Sequence, residues 1–417
     1  MKSSEPPTLP VSATHGGVAA AGLVAFLAAL AAVYHWRRTG FELVDSALLI
    51  MGVTAAALLL ADLSWQKVHR RASTGLDFSR ADPSWPRTLT KFVGLLGSLG
   101  FIGLLYALFP EYRGGYYESY FAMLRKVLPL AVLLALPYFY FVDRHMRAPR
   151  DGYWQLGQLL LRRPFDRGMV WQHLLGWLIK GYFLPLMFTY LCQDLARFLA
   201  YDFHRPGFIE TWFDVLYDSC YFVDVALVSI GYLLSLRLAD THLRSAEPTM
   251  LGWIAALVCY EPFWSLIGRQ YLAYQGAINW VGWLGHSPLL YGAWGLLILF
   301  LTAIYVWATV AFGGRFSNLT HRGIITNGPY RWTKHPAYIA KNLSWWLISV
   351  PFLVQGSALE SVRHCALLLG LNGIYWLRAV TEERHLGRDP EYRRYAAWIA
   401  RHGLVGRLRP ARWRAAG

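Results

Sequence analysis

Charge is scarce in this chain. Only 16% of its 417 residues are Asp, Glu, Lys or Arg, against about 25% in ordinary globular domains. A string of soluble domains, which the length alone would permit, is excluded on that ground. Cysteine is scarce as well. Cys192, Cys220, Cys259 and Cys365 are scattered in or beside apolar stretches. They lack metal-ligand spacing, so buried thiols are expected and no metal site. Acidic residues are outnumbered, 25 against 40 basic ones, for a formal charge of +15. That excess would suit nucleic acid, but the bases lie in loops between apolar runs and form no soluble basic domain. Nucleic acid is therefore not an expected partner. There is no strong internal repeat and no low-complexity linker. The N-terminus carries no persuasive cleavable signal: 1–17 is polar, and the long run after it ends at Trp36-Arg37-Arg38, so a retained membrane helix is expected.

What is abundant is apolar and aromatic. Hydrophobic residues make up 55% of the chain, with 19 Trp and 25 Tyr, the rings that settle at bilayer interfaces. The reading is an all-α, polytopic integral membrane bundle of about ten transmembrane helices with a C-terminal cytoplasmic helical tail. The spans fall at about 18–36, 43–62, 91–109, 127–142, 170–192, 212–236, 250–268, 286–312, 340–355 and 358–380, given roughly 20 apolar residues per crossing. The last two form a hairpin joined through Gln355-Gly356-Ser357. With the N-terminus in the cytoplasm, the basic loop holding Lys67, Arg70, Arg71, Arg80, Arg87 and Lys91 faces inward. So do the loop holding Arg144, Arg147, Arg150, Arg162, Arg163 and Arg167, the 313–339 loop, and the tail after Val380. One arrangement thus meets the positive-inside rule and puts both termini in the cytoplasm. Two parts are expected, an N-terminal bundle over 1–285 and a C-terminal core over 286–417.

Two clusters in that core carry chemistry. The first is the loop from Gly328 to Tyr338. Asn327-Gly328-Pro329-Tyr330 is a turn signal, and Pro336 suits the first turn of a following helix. That places His335, Tyr338 and free backbone amides at a helix mouth, ready for an anionic or carbonyl group. An interfacial anchor of Tyr, Trp, Lys and His is the plainer explanation. The second cluster is Glu382-Glu383, at the end of the last apolar run. Solvated helix-end carboxylates are the plainer reading; the sharper one is a site for hydroxyl or amino groups, or for a cation such as a sulfonium.

In combination, Gly328, Pro329, Tyr330, His335, Pro336 and Tyr338, then Glu382, Glu383 and Leu386, then Pro390, Glu391, Tyr392 and Tyr395 resemble the isoprenylcysteine carboxyl methyltransferase family. They are also similar to the related membrane phospholipid methyltransferases. The resemblance covers roughly residues 310–400, under a quarter of the chain. It implies an S-adenosylmethionine cofactor held between the last helices and the tail, and a lipid or lipidated acceptor entering from the bilayer at the cytoplasmic face. By carry-over, Tyr330, His335, Pro336, Tyr338, Glu382 and Glu383 would line the cofactor pocket, and Tyr392 and Tyr395 would belong to the closing tail. Lys334 stands where the family usually has Arg, Ala340 where Gly is common, and Trp398 where Arg is common, with Arg401 three residues later. Arg331, Lys334 and Arg401 are the candidates to steer an anionic acceptor.

Asp389 is placed to cap a tail helix beginning at Pro390. Lys180, Asp214, Asp218, Asp224 and Glu261 fall inside apolar segments, where ionisable groups face protein or water. Mutual pairing, Lys180 with one of the acids, and a polar end to an acceptor tunnel are both open. The extra N-terminal helices would shape an acceptor cavity or mediate homo-oligomerisation. Two other functions remain in view. An NADPH-dependent sterol or double-bond reductase matches in length and helix count, but Glu-Glu-x-x-Leu fits it less well. A transporter or channel would use the intramembrane charges but leaves the C-terminal motif unexplained.

Overall fold

The computed structural model describes residues 8–36, 40, 42–201, 208–276, 278–353 and 357–408. The regular structure of the described residues is almost entirely helical. Its elements are α1 (Gly16–Trp36), α2 (Leu43–Ser64), α3 (Trp85–Leu108), α4 (Glu118–Asp143), α5 (Gly152–Leu160), α6 (Arg167–Ala200) and α7 (Phe208–Leu233). They continue as α8 (Met250–Leu257), α9 (Arg269–Tyr271), α10 (Trp280–Leu284), α11 (Pro288–Val310), α12 (Pro336–Ser349), α13 (Ala358–Leu386), α14 (Pro390–His402) and α15 (Leu404–Leu408). A two-residue ribbon, β1 (Ser245–Ala246) against β2 (Thr320–His321), is antiparallel, with Ser245 opposite His321.

Six helices among the described residues are long and apolar enough to cross a membrane: α1, α2, α3, α4 with the turn before it, α6 and α11. The other four expected spans take different forms. The sixth is α7, of spanning length but carrying Asp214, Asp218 and Asp224. The seventh breaks after α8, and its chain resumes as a short wide turn at Trp264–Gly268. The ninth, α12, has only 14 residues, about 21 Å at the usual rise and too short to cross unaided. The tenth, α13, has 29 residues and runs on through the acidic pair. The Gln355-Gly356 part of the expected hairpin connection lies outside the described residues.

Local signals explain where the helices start. Ser84, Asp151, Asp166 and Thr249 each accept a hydrogen bond from an amide two or three positions into α3, α5, α6 and α8, satisfying donors that a helix start leaves unpaired. Asp389 does the same for α14, which begins at Pro390 as the sequence suggests. The main core packs α1, α2, α6 and α7 through Phe26, Leu58, Phe183, Phe188 and Phe222. Beside it, α3 and α5 pack backbone to backbone: a Cβ on Gly94 would fall 1.9 Å from the Tyr153 carbonyl oxygen, and one on Gly157 2.0 Å from that of Thr90.

Charged groups tie distant parts together. Arg315, after α11, donates to Asp62 of α2 at 2.9 Å and to the carbonyls of Ala239 and Asp240, all buried. Thr14 donates to the Ala311 carbonyl at 2.7 Å, and Asn327 donates to the Thr14 carbonyl at 3.2 Å. The segment-embedded acids are paired, but not with Lys180. Asp224 accepts from Tyr305 at 2.5 Å and from Thr309. Asp218 accepts from Tyr201 at 2.7 Å, and Glu261 meets Arg269 at 3.1 Å. Lys180 sits over the Trp177 ring, 5.6 Å from its centroid. Among the described residues no carboxylate lies within ion-pair distance of it.

Candidate active site at the mouth of helix α12

The chain reaches the site through a tight turn at Gly328, whose φ of +54° suits glycine. A Cβ there would also meet the Trp307 indole nitrogen at 3.2 Å. The short 3-10 turn Gly328–Arg331 is thereby seated on the end of α11. Pro336 then opens α12, where its missing N–H costs no intrahelical bond. His335 stands just before it with φ −130° and ψ 57°, and its side chain makes no capping bond. The imidazole is thus free to face the acidic pair.

That pair lies in the last two turns of α13. His335 Nε2 is 2.9 Å from Glu383 Oε1, and Lys334 Nζ donates to Glu383 Oε2. Tyr338 donates to Glu382 Oε2 at 2.9 Å. The His335 and Tyr338 rings lie nearly parallel, centroids 5.4 Å apart and planes 3° off, as positions three apart on a helical path allow. Burial works to raise the Glu383 carboxyl, but the His335 and Lys334 hydrogen bonds outweigh it and hold it below the ordinary glutamate value.

Glu382, Tyr338, His335 and Lys334 border a cleft of about 120 Å³, together with Tyr330, Tyr260, Glu247 and Arg378. Arg378 lies one turn before Glu382 on the same face of α13. Its guanidinium carbon is 5.2 Å from the centroids of Tyr338 and Tyr375 and 5.6 Å from that of Tyr260. It donates to Asn318 Oδ1 at 3.3 Å. Among the described residues it has no carboxylate within ion-pair distance. Lys341, also on the cleft, is held over Tyr305 and Trp345 at 5.0 and 5.5 Å. Two cationic side chains and the Glu382 carboxylate therefore face one another across an aromatic floor, an arrangement suited to a zwitterionic ligand.

The remaining expected residues are placed differently. Pro336 is buried at the start of α12 behind the cleft wall. Tyr392 and Tyr395 are buried in α14 and pack with Ile324 and Ile399 rather than lining the cleft. Tyr395 donates to the Tyr330 carbonyl at 2.8 Å, and Leu404 N donates to the Trp332 carbonyl at 2.8 Å. The tail thus fastens the loop from outside. Arg331 and Arg401 are exposed and stand off the cleft lining. Arg378 and Lys341 were not among the expected site residues. Spacing carried the signal for both: Arg378 is four positions before Glu382, and Lys341 three after Tyr338. Glu247 and Tyr260 enter from loops far away in the sequence and Asn318 from the start of the loop that leads to Gly328, and no local pattern marks them.

A search of curated proteins and one of solved structures each found no match. Residues 293–387, from the first turns of α11 to the end of α13 and under a quarter of the chain, match the isoprenylcysteine carboxyl methyltransferase (ICMT) family.

Proposed function

We propose that this protein is an integral-membrane methyltransferase that uses S-adenosylmethionine and acts on a lipid or lipidated acceptor at the cytoplasmic face. The observation that carries the proposal is the convergence of His335 and Tyr338 with Glu382 and Glu383, inside the segment that matches a methyltransferase family. The side chains present fit the donor. Arg378 and Lys341 would hold its carboxylate, and Glu382 its hydroxyl or amino groups. The aromatic faces of Tyr260, Tyr338 and Tyr375 suit a sulfonium.

S-adenosylmethionine, when bound, supplies a methyl carbon on positively charged sulfur: the acceptor atom bonds to that carbon, the carbon–sulfur bond breaks, and its electron pair stays on sulfur. An acceptor that is already an anion needs no general base, whereas an amine must first lose a proton. The chain's work is then chiefly alignment and exclusion of water. Tyr338, fixed by Glu382 and stacked on His335, contributes to both. Lys334, which lines the cleft, and the exposed Arg331 and Arg401, which stand off it, are the proposed attractors of an anionic acceptor.

A cleft of about 120 Å³ is smaller than the roughly 300–1,000 Å³ usual for nucleotide-sized ligands. Donor binding therefore requires the cleft to widen while the Lys334 and His335 contacts to Glu383 keep its wall in place. Thermal shift of the purified protein with S-adenosylmethionine and with NADPH tests the reading. Stabilisation by the former alone is expected; stabilisation by NADPH alone would replace the proposal with a reductase.

A further inference from the structure

A second, larger cavity lies almost wholly outside the family-matched segment, among α3, α4 and α6. Its volume is about 1230 Å³, some tenfold that of the cleft. Its walls are apolar along α3, α4 and α6, with Leu99, Ile102, Leu124, Val127, Leu128 and Leu184. Leu134, about two-thirds of the way along α4, lines it and is 55% exposed. The chamber thus opens sideways within a helix long and apolar enough to cross a membrane, where hydrocarbon is the expected surrounding.

The polar part of the lining is cationic. Lys91, Lys180, Arg237, Arg244 and Arg388 face it, against the acids Asp143 and Asp151. Lys91 is neutralised by Asp143 at 2.8 Å and Asp151 at 3.3 Å, and Arg244 reaches Asp240 at 3.4 Å. Lys180, Arg237 and Arg388 have no carboxylate within ion-pair distance among the described residues. Burial is the main cause that pushes the nearby His242 imidazole down to about 3, and Arg237 and Arg244 act in the same direction. Arg237 is held by the Thr74 carbonyl at 2.9 Å and Lys180 by the Trp177 ring, but cations without a counter-charge are costly in an apolar setting, and an anionic ligand would relieve that cost. The cavity also borders the active-site cleft. His385 lines both spaces, its Nε2 3.1 Å from Ser245 Oγ and its Nδ1 3.7 Å from Glu247 Oε2. Ser245 lines only the large chamber and Glu247 only the cleft, so this trio is the wall between them.

We infer that the chamber is the acceptor site, and that it takes a single-chain amphiphile whose terminal group is an anion, carboxylate or phosphate. The chain enters beside α4, and the anionic group settles among Lys180, Arg237 and Arg388, next to the His385 wall. As the acceptor site, this deepens the methyltransferase reading and rests on it; anionic-amphiphile binding itself can be measured without the donor.

The test uses the full chain purified in nanodiscs and a fluorescent fatty-acid probe displaced by oleate, 1-oleoyl-lysophosphatidate or uncharged monooleoylglycerol. Both anions are expected to compete about tenfold better than the uncharged lipid, the worth of one charge-assisted contact. The better of the two identifies the head group. Lys180→Met should bring the anions down to the uncharged level while monooleoylglycerol still binds, and Ala135→Trp, which fills the chamber, should weaken all three. Equal competition by charged and uncharged lipids, or anion binding unmoved by both substitutions, would overturn the inference. Calorimetry with S-adenosylmethionine is run in parallel. Anion preference without donor binding would refute the methyltransferase reading and the acceptor role but leave the lipid site standing. Donor binding without anion preference would refute the lipid site alone.

Discussion

His335 Nε2 and Glu383 Oε1 lie 2.9 Å apart although 48 positions separate them in the chain. With Lys334 on its other oxygen, Glu383 joins the loop before α12 to the last turns of α13. Replacing Glu383 by Ala removes two charge-assisted contacts at once. S-adenosylmethionine affinity, expected in the micromolar range for the native chain, should fall about tenfold or more, and His335→Ala should act in the same direction. Isothermal calorimetry reads this directly. Unchanged binding in both variants would remove these residues from the site.

Arg378 should matter for a different reason. It faces the cleft with aromatic neighbours and Asn318, and among the described residues no carboxylate lies within ion-pair distance of it, so its charge is available to a ligand carboxylate. Arg378→Gln should weaken S-adenosylmethionine about tenfold, while adenosine, which has no carboxylate, should bind either variant equally. Equal losses for both ligands would mean that the arginine only supports the fold.

Stability should depend on pH through His321. Burial, then the nearby Arg244, lowers its imidazole to about 4, although Asp389 at 3.4 Å opposes them. The folded protein then holds this group neutral at pH values where the unfolded chain protonates it. Its contribution is complete above the ordinary imidazole value of about 6.5 and is lost as pH falls towards 4, with a slope of up to about 1.4 kcal/mol per pH unit. Melting temperatures in detergent between pH 7.5 and 4.5 should show the decline, and His321→Asn should flatten it. A slope that is the same in both proteins would contradict the assignment.

The Asp62–Arg315 pair is almost wholly buried. Asp62→Ala strands a guanidinium in the bundle and should destabilise by about 3 kcal/mol or more, whereas Asp62→Leu with Arg315→Met should recover most of that loss. Denaturation of the three proteins side by side checks the expected inversion.

Tyr395→Phe deletes only the hydroxyl that reaches the Tyr330 carbonyl at 2.8 Å. A loss of about 1 kcal/mol is expected, too little to unfold the protein but enough to loosen the tail from the loop. Limited proteolysis at Arg331 and Lys334 should speed up, with little change in melting temperature. Unchanged cleavage would mean that apolar packing of Tyr392 and Ile399 alone holds the tail.

Much of the candidate site was legible because its chemistry is local. Pro336 announces the start of α12, Asp389-Pro390 the start of α14, and Gly328 the turn before both. Glu382 and Arg378 share a helical face by spacing alone. The helix count was less legible. A run of 250–268 is apolar enough to suggest one span, yet the chain turns after α8, and α12 is apolar but too short to cross alone. Hydropathy averages over a window and does not register where a helix ends.

The amino-acid order by itself determined that the chain is a helical membrane protein, and which short stretches near its C-terminus bear reactive groups. Those properties follow from apolar run length, period and capping, all of which act within a few turns. Tertiary structure alone decided that Glu247, Tyr260 and Asn318 complete the cleft, that Tyr392 and Tyr395 buttress it from behind, and that Lys180 faces a chamber instead of an acid. Each of those outcomes depends on how separate helices lean together. Packing sets that angle from the sum of many weak contacts spread along the whole chain, and no single segment encodes it.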